Sequence, residues 1–182
     1  MVPAATRPPW RLSPSMTSGA IAWATAVCAR TIARAEHGAP QMVEDAFMAG
    51  LLHDAGKLVF AANLPQRYGQ AQTLVREQGM AECEAERAVL GATHAEVGAY
   101  LLGLWGLPHP IVEALAFHHC PSAGVGRTFD PLTAVHVANA LVYEGNTAAA
   151  AVLVDLEYLA ACGLSERLAG WREHREAAHT HA

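Results

Sequence analysis

Helix punctuation recurs at short intervals along this chain and strand alternation does not, so the chain is constrained to fold as a set of short, closely packed helices. Thr93-His94-Ala95-Glu96 has the spacing of a capping box, with Thr93 as N-cap and His94 as the first helical residue. Asp130-Pro131 is a second start signal, and Pro65 and Pro110 open helices where a missing N–H costs nothing. Gly38, Gly56, Gly79, Gly91 and Gly106 close the runs between them. Alanine is frequent in those runs, while Val, Ile and Thr rarely cluster as strands need. The expected helices cover 18–36, 41–54, 57–62, 65–79, 81–90, 94–106, a segment opened by Pro110, 132–143, 147–162 and 165–175. The expected fold is all-α, a single helical bundle over residues 19–176, with disordered tails at 1–18 and 177–182.

Composition narrows the partners. The 182 residues are 52% hydrophobic, enough for one real core, and 16% charged, against a usual value of roughly 25%. The formal charge is −5, and Lys57 is the sole lysine, so no basic face exists to track phosphates and nucleic acid is excluded as a partner. No apolar run approaches the ~20 residues of a membrane span. Gly19–Cys28 has some look of an export signal, but it runs on into Ala29–Arg34 as one helix, and the reading is cytoplasmic. Cys28, Cys83, Cys120 and Cys162 show no paired spacing and are expected to be reduced, mostly buried thiols. Three of the ten histidines, His174, His179 and His181, fall in the polar C-terminal tail and read as solvated surface.

The informative polar residues are those on apolar helix faces. Phe47, Gly50, Leu51, Asp54 and Leu58 keep helical spacing, which places Asp54 on a buried stripe beside His53. His94, Val97, Leu101 and Leu104 form a second stripe. Ile111, Ala114, Leu115 and His118 form a third, with His119 adjacent, and Leu132, Val135, Asn139 and Val142 a fourth. Four helices thus point a His, Asp or Asn inward. Burying such groups without partners costs several kcal/mol, so they must satisfy one another, ordered water or an ion. Taken singly, each reads as an ordinary hydrogen-bonded core residue. Taken together, His53, Asp54, His94, His118 and His119 are candidate ligands for a divalent metal, with Fe, Mn, Zn or Mg in view.

Gly50-Leu51-Leu52-His53-Asp54-Ala55-Gly56-Lys57 resembles the HD signature of HD-domain phosphohydrolases. The chain is more specifically similar to the HDOD (HD-related output domain) family of bacterial signalling proteins. The phrases that carry the likeness are Ala46–Asp54, Leu90–Leu102, and Trp105-Gly106-Leu107-Pro108 leading to His118-His119-Cys120-Pro121, with Glu82, Glu84 and Glu86 before Leu90-Gly91. The likeness implies an HD-like bundle over about 20–175. It also exposes departures. The superfamily's first His is absent from Ala20–Val27, and Asn139 stands where its terminal metal Asp belongs. Cys120-Pro121-Ser122-Ala123-Gly124 replaces the continuation seen in HD-GYP phosphodiesterases. HDOD domains normally carry further helices before this segment, so the chain reads as N-terminally truncated and prone to self-association through apolar surface.

Three functions compete. The resemblance and the lost ligands favour a non-catalytic signalling module acting through contacts with other signalling proteins or with itself. A metal-dependent phosphohydrolase is the alternative, with the five candidate ligands holding one ion and Lys57 steadying phosphate. A fragment with no stable fold is the third.

Overall fold

The computed structural model describes residues 18–144 and 154–178, and every regular element among them is helical. In chain order these are α1 (Ser18–Ala35), α2 (Pro40–Leu52), α3 (Ala55–Asn63), α4 (Pro65–Gln78), α5 (Glu82–Leu90), α6 (His94–Leu104), α7 (His109–Phe117), α8 (Pro131–Tyr143), α9 (Leu156–Ala161) and α10 (Arg167–Ala178), with a short 3₁₀ turn at Pro121–Ala123. Residues 1–17, 145–153 and 179–182 lie outside the described residues, and with them most of both expected tails; Ser18 opens α1, and Ala177 and Ala178 end α10 instead of belonging to a tail.

The start and stop signals behave as their chemistry requires. Thr93 Oγ1 accepts from the Glu96 N–H at 3.2 Å and Glu96 Oε2 accepts from the Thr93 N–H at 2.9 Å, closing the capping box. Asp130 Oδ1 accepts from the Thr133 N–H at 2.8 Å and caps α8. Gly79 and Gly91 end α4 and α5 at φ 66° and 86°, where a side chain would be strained. The axis of the bundle is α8: every residue from Pro131 to Val142 is buried, and α1, α2 and α7 pack around it. Opposite, α10 closes against α1, with the Trp171 indole N–H donating to Glu36 Oε1 at 2.8 Å.

Small residues set how closely these helices approach. A Cβ on Gly50 would lie 2.7 Å from the Ala26 Cα, so α2 rests on the backbone of α1. A Cβ on Gly56 would lie 2.0 Å from the His94 carbonyl oxygen, so the start of α3 abuts the start of α6, backbone on backbone. That contact brings the His53-Asp54 link against His94.

Several expectations need correction. The expected helix 41–54 ends at Leu52, and the next one begins at Ala55 rather than 57, so His53 and Asp54 form the link between two helices. The break rotates the second helix, and Leu58 is 66% exposed instead of continuing the buried stripe. Leu104 is 67% exposed, because α6 buries Ala95, Gly98, Ala99 and Leu102 instead. A helix that is apolar almost all round carries no moment to choose its face, and the small side chains win by allowing close approach. The expected helix 147–162 does not run through Val154 and Asp155: Asp155 caps α9, its Oδ1 accepting from the Tyr158 N–H at 2.8 Å. None of the four cysteines is in a disulfide, and Cys28 is buried while Cys120 is exposed, so the thiols are less buried than expected.

Gly56→Ala is expected to destabilise the fold by about 1–3 kcal/mol, since the methyl group meets backbone that cannot swing aside. A fall in the urea midpoint at constant m-value reads this; an unchanged midpoint means α3 and α6 do not abut.

Candidate functional site

Two histidines are aimed by the same local device. His53 and His118 each follow directly on the last turn of a helix, α2 and α7, with right-handed helical backbone. His53 Nδ1–H donates to the Gly50 carbonyl at 2.7 Å, and His118 Nδ1–H donates to the Leu115 carbonyl at 2.9 Å, three residues back in both cases. A carbonyl only accepts, so both rings carry their proton on Nδ1 and turn an Nε2 lone pair inward. Both rings are fully buried, and neither Nε2 has a hydrogen-bond partner among the described residues. The rings meet edge to face with centroids 5.1 Å apart.

His94 is held from the other side. Its backbone N–H and its Nδ1–H both donate to Glu86 Oε2, at 2.8 and 2.7 Å, and Glu86 is itself fully buried. The His94 Nε2 lone pair then lies 3.1 Å from His119 Nε2 and 3.3 Å from Asp54 Oδ1. Asp54 Oδ2 lies 3.5 Å from His53 Nε2 and 3.0 Å from Lys57 Nζ. Lys57 bonds at the same time to Glu82 Oε2 at 2.8 Å. The His119 ring packs against His118, tilted by 44° with centroids 4.1 Å apart. The structure therefore gathers all five candidate ligands, and it commits Lys57 to two carboxylates. Asn139 is also buried, and its Oδ1 has no hydrogen-bond partner among the described residues; the same holds for Thr25 Oγ1 on α1.

Burial dominates the electrostatics. It drives the His118 imidazole well below its usual pKa, helped by the neighbouring His119, His53 and His94. His119 is brought down to about 3 by burial, with His94 and Lys57 adding to it. Burial lowers His53 as well, although Asp54 pulls the other way. For Asp54, burial alone raises the pKa, but His53, Lys57 and His94 together hold the carboxyl below its usual range. The mirror case is Lys57: burial lowers it, and Asp54 and Glu82 more than reverse the effect. Near neutral pH His53, His118 and His119 are thus neutral, beside a carboxylate that an ammonium already balances.

That donor set suits a transition metal in type. One ring nitrogen each of His53 and His118 and an Asp54 oxygen lie within 4.8 Å of one another.

Sequence reasoning missed three participants. Glu86 was visible only as part of an acidic run; its spacing with Ala85 on the inner face of α5 was the available signal. Cys83, on the same helix, lines a groove described below. His136 staples the site from behind: its Nδ1–H donates to the His118 carbonyl at 2.8 Å, and its Nε2 accepts from the Asp155 N–H at 2.8 Å. No periodicity distinguishes it on a helix buried on all sides.

A helical bundle in which a His-Asp pair meets three further histidines in one interior pocket is an HD-type domain. The HDOD domain family matches residues 17–121, and the chain belongs to that family. Three solved structures share the fold. An HDOD domain protein of unknown function from Geobacter sulfurreducens is 23% identical, at a TM-score of 0.65 over 85% of this chain and 56% of its own. A Shewanella amazonensis protein provisionally assigned as a phosphohydrolase is 18% identical, at 0.63 over 90% and 64%. The MmoQ response regulator of Methylococcus capsulatus is 26% identical, at 0.55 over 83% and 57%. The chain therefore spans less than two thirds of each.

The lowered imidazoles make stability depend on pH in a definite direction. In the unfolded chain each histidine titrates near its ordinary value of about 6.5. Below that the unfolded state takes up protons that folded His53, His118, His119 and His136 refuse. Stability is complete above about pH 6.5 and falls as pH drops, by about 1.4 kcal/mol per pH unit for each such imidazole. Asp54 adds its own loss only below its unfolded value of about 4. Urea denaturation between about pH 7 and 5 is expected to show a slope steeper than one histidine supplies; a flat profile contradicts the neutral buried cluster.

Proposed function

We propose that this chain is a non-catalytic signalling module of the HDOD type, working through protein contacts. The observation that carries the reading is Lys57, whose ammonium lies against both Asp54 and Glu82. A resident cation offsets the carboxylate charge that a hard catalytic ion depends on, and an ion entering there has to displace a partly buried pair. Asn139 removes a second negative ligand from the same superfamily pattern. The fold shared with a response regulator agrees with a role in signalling. The pocket in this reading is a polar core that fixes how α2, α3, α6 and α7 meet, and changes in that packing are what a partner senses.

Metal-dependent phosphoester hydrolysis remains the second reading, because His53 and His118 direct unpartnered Nε2 lone pairs beside Asp54. A metal held there by His53, Asp54 and His118 would polarise a phosphoryl oxygen and activate water.

Turnover separates the two. The purified chain, supplied in turn with Fe²⁺, Mn²⁺, Zn²⁺ and Mg²⁺, is expected to hydrolyse p-nitrophenyl phosphate, bis-p-nitrophenyl phosphate and a cyclic dinucleotide no faster than Asp54→Ala does. Turnover proportional to protein and lost in both His53→Ala and Asp54→Ala overturns the proposal.

A further inference from the structure

Beside the family's His-Asp pocket lies a groove of about 710 Å³, walled by apolar residues of α6 and α7 that include Ala95, Ala99 and Phe117. Cys83 of α5 and His119 both line it. The Cys83 sulfur, one His94 ring nitrogen and one His119 ring nitrogen lie within 4.8 Å of one another. His94 and His119 are also among the five candidate ligands of the His-Asp pocket, and His94 Nε2 lies 3.3 Å from Asp54 Oδ1; the new member is Cys83, which belongs to neither the HD signature nor the sequence stripes.

We propose that Cys83, His94 and His119 form a binding site for a thiophilic divalent cation, zinc above all, with a coordination position left open toward the groove. Three observations carry the assignment. The first is spacing: His94 Nε2 and His119 Nε2 are 3.1 Å apart. Two imidazoles bound tetrahedrally to zinc at about 2.0–2.1 Å place their nitrogens about 3.3 Å apart, so these rings stand near that edge already. The second is the support behind His94. Its Nδ1–H donates to the fully buried Glu86, the carboxylate–histidine arrangement that fixes a ligand's tautomer and raises its basicity. The third is charge and hardness. Glu86 has one oxygen bonded by His94 and another, Oε1, buried with no hydrogen-bond partner among the described residues. A divalent ion with the Cys83 thiolate and the Glu86 carboxylate makes a neutral unit, and sulfur selects zinc over Mg²⁺ or Mn²⁺.

On binding, the Cys83 thiol gives its proton to solvent and its sulfur takes the ion. His119, which donates from Nε2 to His94 when the ion is absent, moves that proton to Nδ1 so that both Nε2 lone pairs reach the metal. No electron changes hands. The open position gives a small ligand access to the ion from the groove, whose lining also includes Glu84, Arg87 and Glu96. The assignment goes beyond the signalling reading and does not depend on it.

The experiment uses the full chain, freed of metal by a chelator and titrated with Co²⁺ as a spectroscopic stand-in for zinc. The expected result is a thiolate-to-cobalt charge-transfer band in the near ultraviolet at one ion per chain. The band disappears in Cys83→Ser and persists in His53→Ala, and Glu86→Gln weakens binding by about 10–100-fold. In parallel, Zn²⁺ is expected to protect Cys83 of the unmodified chain from iodoacetamide while leaving the rate at Cys162 unchanged, read by peptide mass spectrometry; this arm needs no variant to fold. Absence of the cobalt band, its survival in a folded Cys83→Ser, or alkylation of Cys83 at the same rate with and without zinc each overturns the assignment. Loss of phosphoester turnover or its presence leaves these readouts untouched, so the two proposals fail separately.

Discussion

The contact between Gly56 and the His94 carbonyl governs the rest of the molecule. Backbone meets backbone there with no side chain between, and only glycine permits it. The approach places the link after α2 beside the first turn of α6, so that Asp54, on one element, comes within 3.3 Å of His94 on another. The capping box at Thr93 fixes where α6 begins, and hence that His94 is its first residue. Gly98, one turn along α6, keeps the seam open on the other side, where its added Cβ would stand 3.1 Å from the Gly56 nitrogen.

From that seam the electrostatics follow. Imidazoles in contact cannot all be charged, and burial keeps His53, His118 and His119 neutral. Neutral rings need fixed tautomers, and the chain supplies them from its own carbonyls and from Glu86. The carboxylates need positive partners, and Lys57 bridges Asp54 to Glu82. What results is a polar core divided in two. One half holds His53, Asp54 and His118; the other holds the buried His94 with Cys83 and His119, which line the groove. The second half has the donors for a softer ion.

Much of this was open to inspection in the residues themselves. Helix starts and stops are local chemistry, so the caps at Thr93 and Asp130 and the glycine ends of α4 and α5 were readable directly. His53, Asp54, His94, His118 and His119 were marked by being polar on apolar faces, and they do converge. Leu58 and Leu104 were misplaced for a common reason. Periodicity extrapolates a straight helix, and it fails where the chain bends at His53-Asp54 or where a helix is apolar on every side. Cys83, Glu86 and His136 went unmarked because their roles come from neighbours far along the chain. Glu86 bonds a histidine eight residues on, and His136 ties His118 to Asp155.

By itself, then, the sequence determined the helical class, the ends of most helices and the five polar residues that meet inside, because capping, proline geometry and desolvation act within a few residues or on one residue at a time. Tertiary structure alone decided which nitrogen of each ring faces the pocket, that Lys57 is spent on Asp54 and Glu82, and that a thiol joins two of the histidines at a groove. Those outcomes depend on distances between separate helices, and such distances are set by close backbone packing that no local pattern encodes.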